Sequence, residues 1–148
     1  ILEAAMGWSG YHLHVFEAGG VRFGDIRVDA DLFDRDERGV PLSAVLGTPG
    51  ARMLWEYDFG DGWEHDIVVE AITPPESGVV YPRCLTGRRA CPPEDCGGAP
   101  GYDELLRILA DPADPEHADV AGWVPDGFDP AHFDAAETTR AMLRRRSR

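Results

Sequence analysis

Two runs of alternating apolar and polar residues, Arg52–Phe59 and Trp63–Ile72, flank the segment Gly60-Asp61-Gly62. Alternation with a period of two puts one set of side chains on each face of a strand. Glycine supplies the positive φ that a tight turn needs, so the pair predicts a β-hairpin. A second hairpin is predicted upstream, with Tyr11–Phe16 as one strand, Gly19-Gly20 as the turn and Val21–Phe23 as a short returning strand. Asp25–Gly39 is rich in acid and has no clear period, so it reads as irregular surface. Leu42–Leu46 has room for one helical turn before Thr48-Pro49-Gly50 ends it.

After residue 101 the period changes. Tyr102, Leu105, Leu106 and Leu109 fall at i, i+3, i+4 and i+7, with Asp103 and Glu104 in the first turn and Pro112 beyond the end. Asp114-Pro115 and Asp129-Pro130 each offer a cap followed by a proline suited to the first helical position. Asp134 and Glu137 have the spacing of a capping box for a last helix. At the other end Leu2, Ala5 and Met6 keep helical spacing and Gly7 is placed to stop them. The chain opens inside that pattern without a Met, so a preceding strand and the front of this helix are expected in the natural protein. Strands first and helices last, without βαβ alternation, predict an α+β fold. Its form is an antiparallel sheet with hairpins followed by a helical C-terminal part, in one domain over residues 1–148.

Charge narrows the function classes. The net charge is −13, and all fourteen basic residues are Arg; Lys, Asn and Gln are absent together, which points to codon usage in a GC-rich genome. Arg140, Arg144, Arg145, Arg146 and Arg148 crowd the end, and setting those five charges aside leaves −18 on residues 1–139. Such a body repels a phosphate backbone, which excludes direct DNA binding by it. The arginines themselves read as a cationic end to a terminal helix, with contact to nucleic acid or an acidic partner as the alternative. No run approaches the roughly 20 apolar residues of a membrane span, and no secretory signal is read at the start, so a cytoplasmic address is expected.

The chemistry-bearing residues concentrate in the loop Tyr81–Gly101. Cys84, Cys91 and Cys96 all lie there, spaced C-x6-C-x4-C. Clustered cysteines in a reducing compartment are candidate zinc ligands, with His65 as the fourth and His12 or His14 as its substitutes. The same cysteines also suit a proline-stiffened loop as small buried hydrophobes. A third reading makes them a redox set activated by Arg88 and Arg89. A metal-dependent hydrolase or nuclease would gather His12, His14, His65, Asp58 and Asp61, with Glu94 or Asp95 as general base. Asp58-Phe59-Gly60 matches the kinase metal tripeptide, but the Gly-rich loop, the His-Arg-Asp motif and the strand lysine are missing.

Several blocks together resemble a known family. They are Ala4–Trp8 with His12–Phe16, Tyr57–His65, Cys84–Asp95 with Gly97-Gly98, and Phe128–Asp134. In order, over nearly the whole chain, they look like the plasmid pRiA4b ORF-3-like family. The resemblance implies an α+β fold and a mobile-element setting, with no established activity. Some members are labelled as insertion-element passenger proteins under a resolvase name, TnpR. The residues here do not fit recombination: of Ser9, Ser43, Ser77 and Ser147, only Ser147 has Arg neighbours, in a tail expected to fray, and a tyrosine recombinase needs a basic body. The expectation is therefore a non-catalytic binding or adaptor module for a protein partner, presenting Asp58, Asp61, Trp63, Tyr81 and Arg88.

Overall fold

Five strands form one mixed sheet in the order β3-β2-β1-β4-β5. They are β1 (His14–Ala18), β2 (Val21–Gly24), β3 (Arg35–Asp36), β4 (Arg52–Tyr57) and β5 (Trp63–Val68). The structure, a computed structural model, describes residues 1–146; Ser147 and Arg148 lie outside them. The chain divides into a sheet unit, His12–Glu76, and a helical unit made of Ile1–Tyr11 and the chain from Ser77 onward.

In the sheet unit both expected hairpins are present. Ala18 pairs with Val21 across Gly19 and Gly20, whose φ of 58° and 76° are those of a tight primed turn. The strands are shorter than their alternating runs because each needs a partner. His14 pairs with Tyr57, and the Asp58 amide makes one last bond to the Leu13 carbonyl before Asp58 turns left-handed, so β1 starts at His14 rather than Tyr11. Arg52 pairs with Val68, so β5 stops there, and only Val69 still bonds to Gly50 and Ala51. The segment read as irregular contains β3, which runs parallel to β2. It is held by the Arg22 amide donating to the Asp34 carboxylate and by Phe33, buried where Gly24 leaves room. One helical turn, α2 (Leu42–Val45), precedes β4.

Opposed residues of an antiparallel pair share a face. Register therefore puts His14, Phe16, Phe23, Trp55, Tyr57, Trp63 and His65 on one side of the sheet. Trp55 and Tyr57, each 1% exposed, are its centre. The Trp55 ring lies 4.6 Å from His65 and 5.6 Å from Tyr57, and stacks with Phe16 at 6.4 Å.

The helical unit holds α1 (Leu2–Met6), α3 (Gly98–Ala110), α4 (His117–Trp123) and α5 (Ala135–Arg146). Gly7 ends α1 in the left-handed conformation, φ 83°, as expected. Ala4, Trp8, Leu105, Ile108 and Met142 are its buried apolar residues, with α1 packed on α5 and α3 on α4. Helix α3 begins four residues before the pattern suggested, because Gly97 takes the left-handed cap. Of the aspartates read as helix caps, only Asp134 opens a helix; Asp114 and Asp129 form turns, and neither Pro115 nor Pro130 is a first helical residue. Asp134 accepts the amides of Ala136 and Glu137 at 2.7 and 2.9 Å and opens α5. Asp114 accepts the Glu116 amide just ahead of α4, while Asp129 caps only a turn. Together these elements are an α+β fold. Among the described residues no helix is long and apolar enough to cross a membrane.

Candidate functional site

The loop that carries the cysteines is fastened to the approach and first turns of α5. The Cys84 amide donates to Thr139 Oγ1 at 2.9 Å, and the Ala90 amide to the Pro130 carbonyl at 3.1 Å. Gly87 lies against the Phe133 ring so closely that any β-carbon would overlap it. Arg89 takes a left-handed backbone, φ 68°, which is unusual for a residue with a side chain. These ties hold Arg88 and Arg89 beside α5, where Arg140 and Arg144 follow one turn apart.

The result is an open cavity of about 790 Å³ lined by Arg88, Arg89, Arg140, Arg144 and His132, with Ala4–Gly7 supplying apolar wall. Asp134 and Glu137 are the acidic residues lining it. Both are committed. Asp134 caps α5, and the two amides it accepts hold its carboxyl below the usual range. Glu137 lies 3.2 Å from His132 Nε2 and 3.8 Å from Arg140. In a chain of net charge −13, this cavity collects four of the fourteen arginines. Guanidinium groups donate in a planar fork that matches carboxylate and phosphate oxygens, so the arrangement suits an anion.

Of the residues expected at a binding surface, Arg88 is exposed and lines this cavity, and Tyr81, in the same unit, is 37% exposed. Asp58, Asp61 and Trp63 belong to the sheet unit. There Asp58 is buried and organises the β4–β5 turn: its Oδ1 accepts the amides of Gly60 and Asp61 at 3.0 and 3.3 Å. Its Oδ2 lies 3.5 Å from His12 Nδ1. Asp61 and Trp63 are half-buried. Arg89, Arg140, Arg144 and His132 were not singled out for binding from the sequence. The i, i+4 spacing of Arg140 and Arg144 was the available signal, since it places both on one helical face.

Of the expected metal ligands, His14 and His65 have different hydrogen-bond partners, whereas Cys91 and Cys96 lie near each other. His14 Nε2 bonds Glu37 at 2.9 Å, and His65 Nδ1 lies 3.3 Å from the Trp55 carbonyl. Burial lowers the His65 pKa and keeps it neutral. Among the described residues no two histidines, and no two cysteines, belong to a group of three ligand atoms within 4.8 Å of one another. Cys84 Sγ donates weakly to the Thr86 carbonyl at 3.6 Å. Burial, with Cys96 and Glu94 nearby, pushes the Cys91 thiol up to about 12, so it stays protonated and unreactive at neutral pH.

Known proteins share this architecture. The chain is 40% identical over 146 residues to the uncharacterized protein y4hQ of Sinorhizobium fredii, covering 96% of this chain and 74% of that one. The crystal structure of MM3350 from Methanosarcina mazei Go1, a protein of unknown function, superposes with a TM-score of 0.80 at 38% identity. That match covers 92% of this chain and 78% of the other. The family model for plasmid pRiA4b ORF-3-like protein matches residues 1–137, and the chain belongs to that family.

Proposed function

We propose that this protein is a binding module that takes an anionic group, phosphate or carboxylate, into the arginine-lined cavity of its helical unit. The observation that carries the reading is the gathering of Arg88, Arg89, Arg140 and Arg144 around one cavity of a strongly acidic chain. The protein's own field repels anions from most of its surface, so selective capture needs a local positive lining of this kind. His14 bonds Glu37, His65 faces the Trp55 carbonyl and Cys91 is held neutral, which favours binding over catalysis.

Calorimetric titration at low salt with inorganic phosphate and with citrate tests it. Saturable binding that weakens about tenfold or more in Arg88→Glu/Arg144→Glu is the expected result, in line with the loss of charge-assisted hydrogen bonds. Unchanged affinity in that variant, or no binding of either anion to the parent protein, would overturn the reading.

A further inference from the structure

A second cavity of the helical unit has the opposite character. It measures about 390 Å³ and shares Met6, Gly7, Cys91 and Pro92 with the first. Trp8, Trp123 and Phe128 are among its lining residues, together with three prolines. Its charged lining residues are Glu94 and Asp95, and no Arg or His is among the described residues that line it.

Several features fix this lining in place. Trp8 is 4% exposed, and its indole N–H donates to the Pro92 carbonyl at 2.9 Å. Glu94 Oε2 accepts the Ser9 amide at 2.9 Å. Trp123, the last residue of α4, is 50% exposed, unlike the buried Trp8 and Trp55. Cys91 stays neutral and adds no charge of its own.

Aromatic faces carry negative electrostatic potential and attract cations, most strongly for tryptophan. Glu94 and Asp95 in the same lining add negative charge that favours a cation. A hard metal cation wants six or more oxygen ligands, which rings and prolines do not supply. A guanidinium is held best by both oxygens of one carboxylate, and at Glu94 one of the two already accepts the Ser9 amide. An alkylated ammonium needs neither, because its charge is spread over an apolar shell with few or no donors to satisfy. From these observations we infer that the cavity lined by Trp8, Trp123, Phe128, Glu94 and Asp95 binds an alkylated ammonium group. The inference does not depend on the anion reading, since it uses a different lining and a different ligand charge.

Tryptophan fluorescence titrated with choline chloride, at constant ionic strength set by NaCl, tests it. The neutral carbon analogue 3,3-dimethylbutanol and methylguanidinium serve as comparison ligands. The expected result is saturable choline binding, weaker by about tenfold for 3,3-dimethylbutanol and for Trp123→Ala, with a several-fold loss in Asp95→Asn. Choline binding in these variants is followed by an NMR titration of the ligand, so that losing a tryptophan does not remove the signal. Trp123 is half exposed, so its removal leaves the fold in place, which the circular dichroism spectrum checks. Equal binding of the neutral analogue would show a hydrophobic pocket and overturn the inference. Tighter binding of methylguanidinium, or full affinity in Trp123→Ala, would overturn it as well. Retained phosphate binding in these same variants separates its failure from failure of the anion reading.

Discussion

Asp58 is a charged residue that the fold buries, at 8% exposure and with a left-handed φ of 59°. Its carboxylate accepts two turn amides, so an alanine there leaves those donors unmet in a strained backbone. Asp58→Ala is expected to cost about 1–3 kcal/mol, and Asp58→Asn clearly less, because Asn tolerates this backbone and can still accept; urea unfolding measures both. For His65, burial sets the pKa below a free histidine's 6.5. The unfolded chain then takes up a proton that the folded one resists, so stability is full above that pH and falls as pH drops below it. A thermal melt series from about pH 7.5 to 5.5 should show this limb, and His65→Gln should flatten it. Cys91 gives the opposite sign on the alkaline side. With its thiol at about 12 against an ordinary 9.0, alkylation at pH 8.5 should leave Cys91 the last of the three cysteines to react, read by mass spectrometry of peptides.

Among the elements, α3 shows how tightly the loop is built into its neighbours. A β-carbon at Gly101 would overlap the Cys96 carbonyl, and backbone cannot move as a side chain can. Gly101→Ala is therefore expected to destabilise by about 2–3 kcal/mol despite alanine's higher helix propensity. An urea midpoint at or above that of the parent would contradict this packing. Much of the element order was legible beforehand: both hairpins, the Gly7 stop and the cap at Asp134 follow from residue types whose local physics is strong. Strand lengths were not, because alternation marks only what a strand can bury, whereas Tyr57 and Arg52 decide how far His14 and Val68 find partners. The two-residue β3 has no period to detect. The start of α3 was hidden because Gly97, Gly98 and Gly101 look like loop until Gly97 is seen to cap the helix and the Cys96 carbonyl to occupy the space at Gly101.

At the scale of the whole molecule, net charge dominates. A chain at −13 repels itself when folded, so raising NaCl from about 20 to about 300 mM should raise the melting temperature, as screening over about 10 Å or less takes effect. A fall instead would mean that ion pairs such as Arg107 with Glu104 and Asp114 outweigh the general repulsion. The arginine-lined cavity was only partly legible: Arg88 was visible as a loop cation, but its company with Arg140 and Arg144 depends on Thr139 and Pro130 gripping the loop. The same long-range assembly sets an order of events during synthesis. The sheet unit, residues 12–76, is complete while the ribosome is still making the cysteine loop. Helix α1 packs on α5, which lies far downstream in the chain, so the helical unit closes only after α5 has left the exit tunnel. A nascent chain stalled before residue 135 should thus already resist protease across the sheet while residues 1–11 remain open to cleavage.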